Sequence, residues 1–397
     1  MASEARPEDA LGLDTTEVDR WIGVPLGGGV LKEPVGATDV RRWVQGMQNA
    51  NPLHYDERHA SESRFGRLVA PYSFAVCTDD SHGAGPAIQG HIDGTHMLFG
   101  GDEWWFLGPR IFPGDSFRHD RMLFDYKVTT TKFAGPTMFS RGDTTYVNQR
   151  GEIVCKQRST SIRYRAKDAR ERGEFLDVPE KEWSDEELAG LEKRTFEYYQ
   201  SVRELGHGRR LFVKEGDVLP ERVIGPHSTA SFTSEWRAFL QSVWGAFDFG
   251  GGPSSLWEAG WLPEMDRDHE GAKIDPSLAD GLYHGPSRGH VQQRYAQLIG
   301  MPRGYGYGAT MGAWILDYLS NWLGEWGDLL HSRMSYRAPA LVGDATFLNA
   351  RVAEIDYADR SGQPVCAIDV TMTNQRGEVM ASGRAEARLP TEDRPAA

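Results

Sequence analysis

The sequence predicts an α+β protein built twice over, two copies of a unit in which an antiparallel sheet wraps a helix. Three observations carry this reading. The pentapeptide NQRGE occurs at 148–152 and again at 374–378. Upstream of each copy a Gly-Asp turn opens a β-rich run, in GPRIFPGD at 108–115 and in APALVGD at 338–344. A histidine also precedes an alanine at the same spacing in both halves, His54 before Ala60 and His290 before Ala296.

The elements follow in chain order. Residues 32–45, KEPVGATDVRRWVQ, give a short extended piece, a Thr or Ser fit for a helix N-cap, and a helix with Trp and apolar residues at helical spacing. Residues 224–241, IGPHSTASFTSEWRAFLQ, repeat that order. Next comes a polar loop, NANPLHYDE at 49–57, and then a second helix, APYSFAVCTDD at 70–80, where Pro71 suits the first turn. Asp79 and Asp80 are expected to end that helix in solvent. Its counterpart at 309–326, ATMGAWILDYLSNWLGEW, is apolar on most of its surface and should be buried.

Each NQRGE reads as a hairpin turn, with Gly151 or Gly377 supplying the positive φ that such turns need. Between the halves lies a charged stretch at 166–208, in which SDEE at 184–187 is a capping box that starts a solvated linker helix. The expected division is therefore 1–165, a linker at 166–210, and 211–397 with an insert at about 247–289.

Composition narrows the function. Hydrophobic residues make up 39% and charged residues 25%, the profile of a folded globular chain. A net charge of −13 argues against a sequence-independent nucleic-acid binder. No apolar run approaches the roughly 20 residues that cross a bilayer. The polar, acidic N-terminus lacks signal-peptide layout, so a cytoplasmic location is expected. Cys77, Cys155 and Cys366 are scattered without metal-ligand spacing and are expected to pack as small hydrophobes rather than form disulfides.

The stretches NPLHYDERHA (51–60), SRFGRLVAP (63–71), PGD (113–115) and the two NQRGE hairpins resemble the MaoC-like dehydratase and hydratase family. They resemble in particular the branch whose first half is likened to the dehydratase of fatty acid synthase. The resemblance implies two tandem hotdog domains and an (R)-specific enoyl-CoA hydratase or dehydratase acting on an acyl-CoA thioester, without metal or redox cofactor. It implies that His54 handles a proton, with Asn51 and Pro52 matching the motif directly. Asn49 falls where the family has its catalytic aspartate. Asparagine can hold a water but cannot titrate.

A replacement acid is available in Asp317, on the apolar helix of the second half. In related double-hotdog dehydratases the histidine of one half meets an aspartate from the helix of the other. Asp317 either pairs with His54 in that way or lies on the exposed side of its helix. The resemblance also puts a thioester-binding N–H at the stretch Pro71–Tyr72–Ser73, from Tyr72 or Ser73, and at Gly308 or its neighbour in the second half. His290 keeps less of the motif, with Gly285 in the aspartate's place, and reads as a relic or a ligand contact.

Trp104 and Trp105, adjacent on one strand, must face opposite sides, so only one joins a given core. The surplus of tryptophan, including Trp244, Trp257 and Trp261, is read as a bulky or aromatic acyl pocket or as a subunit interface. A homo-oligomer is expected. For CoA phosphates Arg64, Arg67, Arg110 and Lys132 are available. Two rival readings stand beside the hydratase. One is a hotdog thioesterase, and the other is a catalytically weakened acyl-binding partner subunit.

Overall fold

The computed structural model describes residues 11–243, 245–248, 286–357 and 362–391. Most of the expected insert, with Trp257, Trp261 and Gly285, lies outside them, as does Trp244. The first half runs α1 (Thr16–Asp19), β1 (Pro25–Leu26), β2 (Val30–Leu31), α2 (Ala37–Gly46), a 3-10 turn Pro52–His54 and α3 (Glu57–Glu62). After 3-10 turns at Tyr72–Thr78 and Gly85–Ile88 come the long strands β3 (Thr95–Phe106), β4 (Phe117–Thr131), β5 (Gly135–Asn148) and β6 (Ile153–Arg165). Helices α4 (Ala166–Arg172) and α5 (Asp185–Leu205) link the halves.

The second half runs β7 (Arg222–Ile224), α6 (Thr229–Ala238), β8 (Phe247–Asp248), a 3-10 turn Arg288–His290, α7 (Gln293–Leu298) and α8 (Gly308–Leu323). Strands β9 (Asp328–Tyr336), β10 (Thr346–Asp356), β11 (Val365–Asn374) and β12 (Val379–Arg388) complete it. Among the described residues no helix is long and apolar enough to cross a membrane.

The ten-stranded sheet has the order β1-β4-β5-β6-β3-β9-β12-β11-β10-β7, which reads the same from both ends once the halves are equated. A pseudo-twofold therefore passes between β3 and β9, the antiparallel pair that joins the halves from Gly101↔Ser335 to Trp105↔His331. This is a double hotdog, α+β as the sequence predicts.

The duplication extends to side chains. Asp115 Oδ1 accepts from Gln149 Nε2 at 2.9 Å and from Arg150 Nη1 at 3.3 Å. Asp344 Oδ1 accepts from Gln375 Nε2 at 2.8 Å and from Arg376 Nη1 at 3.2 Å. The recurring NQRGE is thus a clamp: its Gln and Arg hold the Gly-Asp turn that starts a neighbouring strand. Asn148 and Asn374 close their own hairpins onto Glu152 and Glu378 at 2.8 and 2.7 Å. The capping box read at Ser184 and Glu187 is present. Ser228 caps α6 as a serine should, but the N-cap of α2 is Gly36, whose N–H bonds Asp39.

The wrapped helices differ between the halves. In α8 all 16 residues but Gly308 are buried, as expected of a segment apolar all round. The helix expected over 70–80 is instead a seven-residue 3-10 segment, Tyr72–Thr78. Its exit corrects the expectation for the two acids. Asp79 and Asp80 are buried, each 2.7 Å from the Arg121 guanidinium. Asp79 also accepts from Ser81 and Gly83 N–H groups at 2.7 and 3.0 Å, which turns the chain off the helical path. The later turns of a full helix are missing from this half.

All three cysteines are free and buried, and burial pushes the Cys77 and Cys366 thiols up to about 12. The native protein should therefore take up no thiol reagent at about pH 8, and three equivalents in denaturant. Colorimetric titration checks this, and one equivalent consumed by native protein would contradict it.

Candidate active site

Two histidines occupy equivalent places. In the first half the Asn51 side chain accepts from Leu53 N–H and caps the 3-10 turn, with Pro52 at its start. The turn delivers His54, whose Nδ1 lies 2.7 Å from the Val69 carbonyl, 15 residues on. In the second half His290 Nδ1 lies 2.6 Å from the Tyr305 carbonyl, again 15 residues on. A carbonyl can only accept, so Nδ1 carries the hydrogen and Nε2 keeps a bare lone pair in both rings. Burial drives both imidazoles down to about 3, against the opposing pull of the carbonyl bond, so both are neutral bases.

Access separates them. His54 is 2% exposed and lines neither of the two cavities described below, while Asn49 and Asn51 of its loop enter a buried polar network. Asn49 Oδ1 accepts from Asn321 Nδ2 at 3.1 Å, and Asn51 Nδ2 donates to Asn321 Oδ1 at 3.0 Å. Asp317, fully buried rather than on an exposed helix side, accepts from Ser73 Oγ at 2.6 Å, and Ser73 accepts from Trp43 Nε1 at 2.9 Å. Burial raises the Asp317 carboxyl to about 6, offset by the Arg222 charge, by Ser73 and by Asn49 beside it.

The structure therefore brings Asn49, Asn51, Ser73 and Asp317 together, while the Nδ1 of His54 is spent on Val69. Tyr72 lies under the Arg110 guanidinium at 3.8 Å, and Pro71 is the N-cap of the 3-10 segment. The void beside this loop measures about 10 Å³ and is lined by Asn51 and Asn321, not by His54.

His290 is partly exposed, and what it faces is a cavity of about 610 Å³. The second half contributes His290, Tyr305, Tyr307, Gly308 and Met311. The first contributes the inner face of its sheet, through Phe99, Phe139 and Ile162, and the turn at Ser81, His82 and Ile88. Those turn residues follow the short 3-10 segment directly in the chain, where the second half has the later turns of α8. Mostly apolar walls and this volume are those of a small-molecule site.

Gly308 opens α8 at the cavity wall, where a Cβ would collide with the Phe99 ring. The first N–H groups of a helix have no intrahelical partner, and they carry the positive end of its dipole. Tyr307 is held between two imidazoles, His290 at 3.8 Å and His82 at 4.9 Å between ring centroids.

Of the other expected contacts, neither Trp104 nor Trp105 lines this cavity. They do face opposite sides: Trp104 is 1% exposed and donates to Asp102, whereas Trp105 lies beside Lys156 and His331. The aromatic wall is made instead by Phe99, Phe133, Phe139, Tyr305 and Tyr307. Arg64 is paired with Asp328 at 3.0 Å and Arg67 packs on Phe112, while Lys132 reaches the cavity. Sequence reading missed His82 and Tyr336. For His82 the signal was present, since DSHGAG at 80–85 is a poor continuation of a helix.

Comparison with known proteins bears on the fold and on the first half. Residues 20–157 match the family profile "FAS1-like, dehydratase domain region". The "Probable enoyl-CoA hydratase alpha subunit" of Thermomonospora curvata is 28% identical over 163 residues, 38% of this chain. The match spans 50% of that curated relative. A solved MaoC-like dehydratase superposes at TM-score 0.61 and 16% identity, over 94% of this chain and 100% of that one. A MaoC domain protein from Chloroflexus aurantiacus does so at TM-score 0.50 and 11% identity, over 98% and 100%. The fold is thus that of a tandem hotdog protein, similar to the solved MaoC-like dehydratases. Its first half is the part that matches the FAS1-like dehydratase region.

Proposed function

We propose that the chain hydrates an α,β-unsaturated acyl-CoA thioester, or dehydrates the 3-hydroxy form, in the cavity at His290. One observation carries this: a carbonyl-anchored neutral imidazole and the free start of α8 line the same 610 Å³ chamber. The N–H groups at Gly308 and Ala309 would hold the thioester oxygen as charge develops there. His290 Nε2 would take a proton from water and return it to the α-carbon. The apolar wall from the first-half sheet supports a bulky or aromatic acyl group, with Lys132 as an anchor for CoA phosphate.

The proposed domain division stays 1–165, 166–210 and 211–397, and self-association stays part of the proposal. A second reading has its own support. Asn49 offers an amide where the motif has an acid, and the Thermomonospora relative is named as an alpha subunit. Both favour an acyl-binding subunit completed by another chain.

Purified protein incubated with a panel of 2-enoyl-CoA and 3-hydroxyacyl-CoA thioesters decides between them, with enone absorbance and free thiol recorded together. Change in enone absorbance without thiol is the expected result. Thiol release alone would make the protein a thioesterase, and silence in both channels would make it the binding subunit.

A further inference from the structure

Strand β3 carries a bulge between Phe99 and Gly101. One extra residue shifts the in–out alternation of the strand, so Phe99 and Asp102 both face α8. Helix α8 meets them with glycines one turn apart. Gly308 gives room to Phe99, and a Cβ on Gly312 would lie 2.6 Å from Asp102 Oδ2 and 2.7 Å from Tyr336 Oη. Tyr336, the last residue of β9, donates its hydroxyl hydrogen to Asp102 Oδ1 at 2.9 Å, while Trp104 Nε1 donates to Oδ2 at 2.9 Å. Phe99 and Tyr336 stack with centroids 5.9 Å apart. Tyr336 lines the cavity, and Asp102 and Trp104 stand behind it.

We propose that Tyr336 is a catalytic water-binding residue of the His290 site, with Asp102 as its positioning residue. This rests on the hydratase reading of that site. The Tyr336 hydrogen is committed to Asp102, so any further hydrogen bond at the phenol oxygen is one that it accepts. His290 Nε2 is an acceptor too. A water that gives one hydrogen to each turns its lone pair toward the substrate. Helix geometry suits the division of labour: one turn of α8, about 5.4 Å, separates the amide that would hold the thioester oxygen from the glycine under the phenol.

In hydration the water oxygen bonds to the β-carbon as His290 takes one water proton, and the π pair moves onto the α-carbon and thioester oxygen. His290 then returns the proton to the α-carbon. One O–H bond breaks, one C–O and one C–H bond form, and Tyr336 and Asp102 finish as they began.

The test uses the full chain and the enoyl-CoA that the wild type turns over fastest. Tyr336→Phe keeps the ring and its stack on Phe99, so its melting temperature should stay near wild type. Losing one hydrogen bond to the reacting water should lower kcat about 10- to 100-fold, with KM within about threefold. Asp102→Ala should match that loss, and Asp102→Asn, which still offers Tyr336 a carbonyl oxygen, should recover part of it. Recovery in kcat at constant KM is not what a purely structural seam residue would give. Full kcat in Tyr336→Phe beside an inactive His290→Ala would overturn this proposal and leave the hydratase reading standing. A wild type silent on every thioester would remove both.

Discussion

Replacing His290 with alanine should lower kcat/KM by about 10²- to 10⁴-fold, the range of a lost general base, while the chain stays folded. Replacing His54 should do the reverse. The two rings share the same carbonyl anchor, the same tautomer and the same downward shift to about 3, so neither electronics nor geometry at Nδ1 separates them. What separates them is that Nε2 of a base must reach substrate, and only His290 lines the large cavity.

His54→Ala removes a 2.7 Å bond from a side chain 2% exposed. It should cost about 1–3 kcal/mol of stability with turnover changed only severalfold. The pH profile gives a second readout. A free-enzyme histidine held down near 3 is neutral throughout pH 5–8, so its acid limb in kcat/KM falls below about pH 5 rather than near 6.5. Loss of turnover in His54→Ala with full activity in His290→Ala would move the chemistry to the first half.

That contrast also shows what a sequence can disclose. The duplication was legible because its markers are local: a turn glycine, a clamp of Gln and Arg, a histidine at fixed distance from an alanine. The burial of α8 followed from an apolar run with no polar face. The better-kept motif, NPLH, pointed to His54, but a motif records the resemblance of a loop and says nothing about access.

The first-half counterpart of α8 stops early, and the cause of the stop is tertiary. Asp79 and Asp80 meet Arg121 on β4, a partner more than 40 residues away that no local pattern identifies. The same holds for Asp102 and Tyr336, which come from different halves and meet only because β3 and β9 pair. Asp317 was named as a possible partner of His54. The sequence could not say that Ser73 and Asn49, rather than the imidazole, would surround it.

Arg222→Met should cost about 3 kcal/mol of unfolding free energy, near the lower end for stripping one partner from a buried charge network. Arg222 is 1% exposed, and its guanidinium joins the halves. Nη1 donates to the Trp314 carbonyl of α8 at 2.9 Å, and Nη2 donates to the Met47 and Gln48 carbonyls at the end of α2 at 2.8 and 3.0 Å. Gln48 sits at φ 52, a conformation costly for a residue with a side chain, and Tyr199 of α5 also donates to its carbonyl. Methionine fills the space but leaves those acceptors short of donors and Asp317 without its cation.

The loss should depend on pH, with a sign set by Asp317. Burial already holds that carboxyl at about 6, above its unfolded value, so ionised Asp317 weighs against folding above pH 6 and ceases to do so as pH falls toward 4. Without Arg222 its pKa rises further, and the deficit of the variant is larger at pH 8 than at pH 5. Urea denaturation at the two pH values measures both effects. A loss below about 1 kcal/mol, or an equal loss at both, would mean that the carbonyls find water and that Arg222 does not govern the Asp317 carboxyl. With Asp317→Asn in the same chain the pH dependence should disappear while the carbonyl cost remains, which separates the two contributions of one side chain.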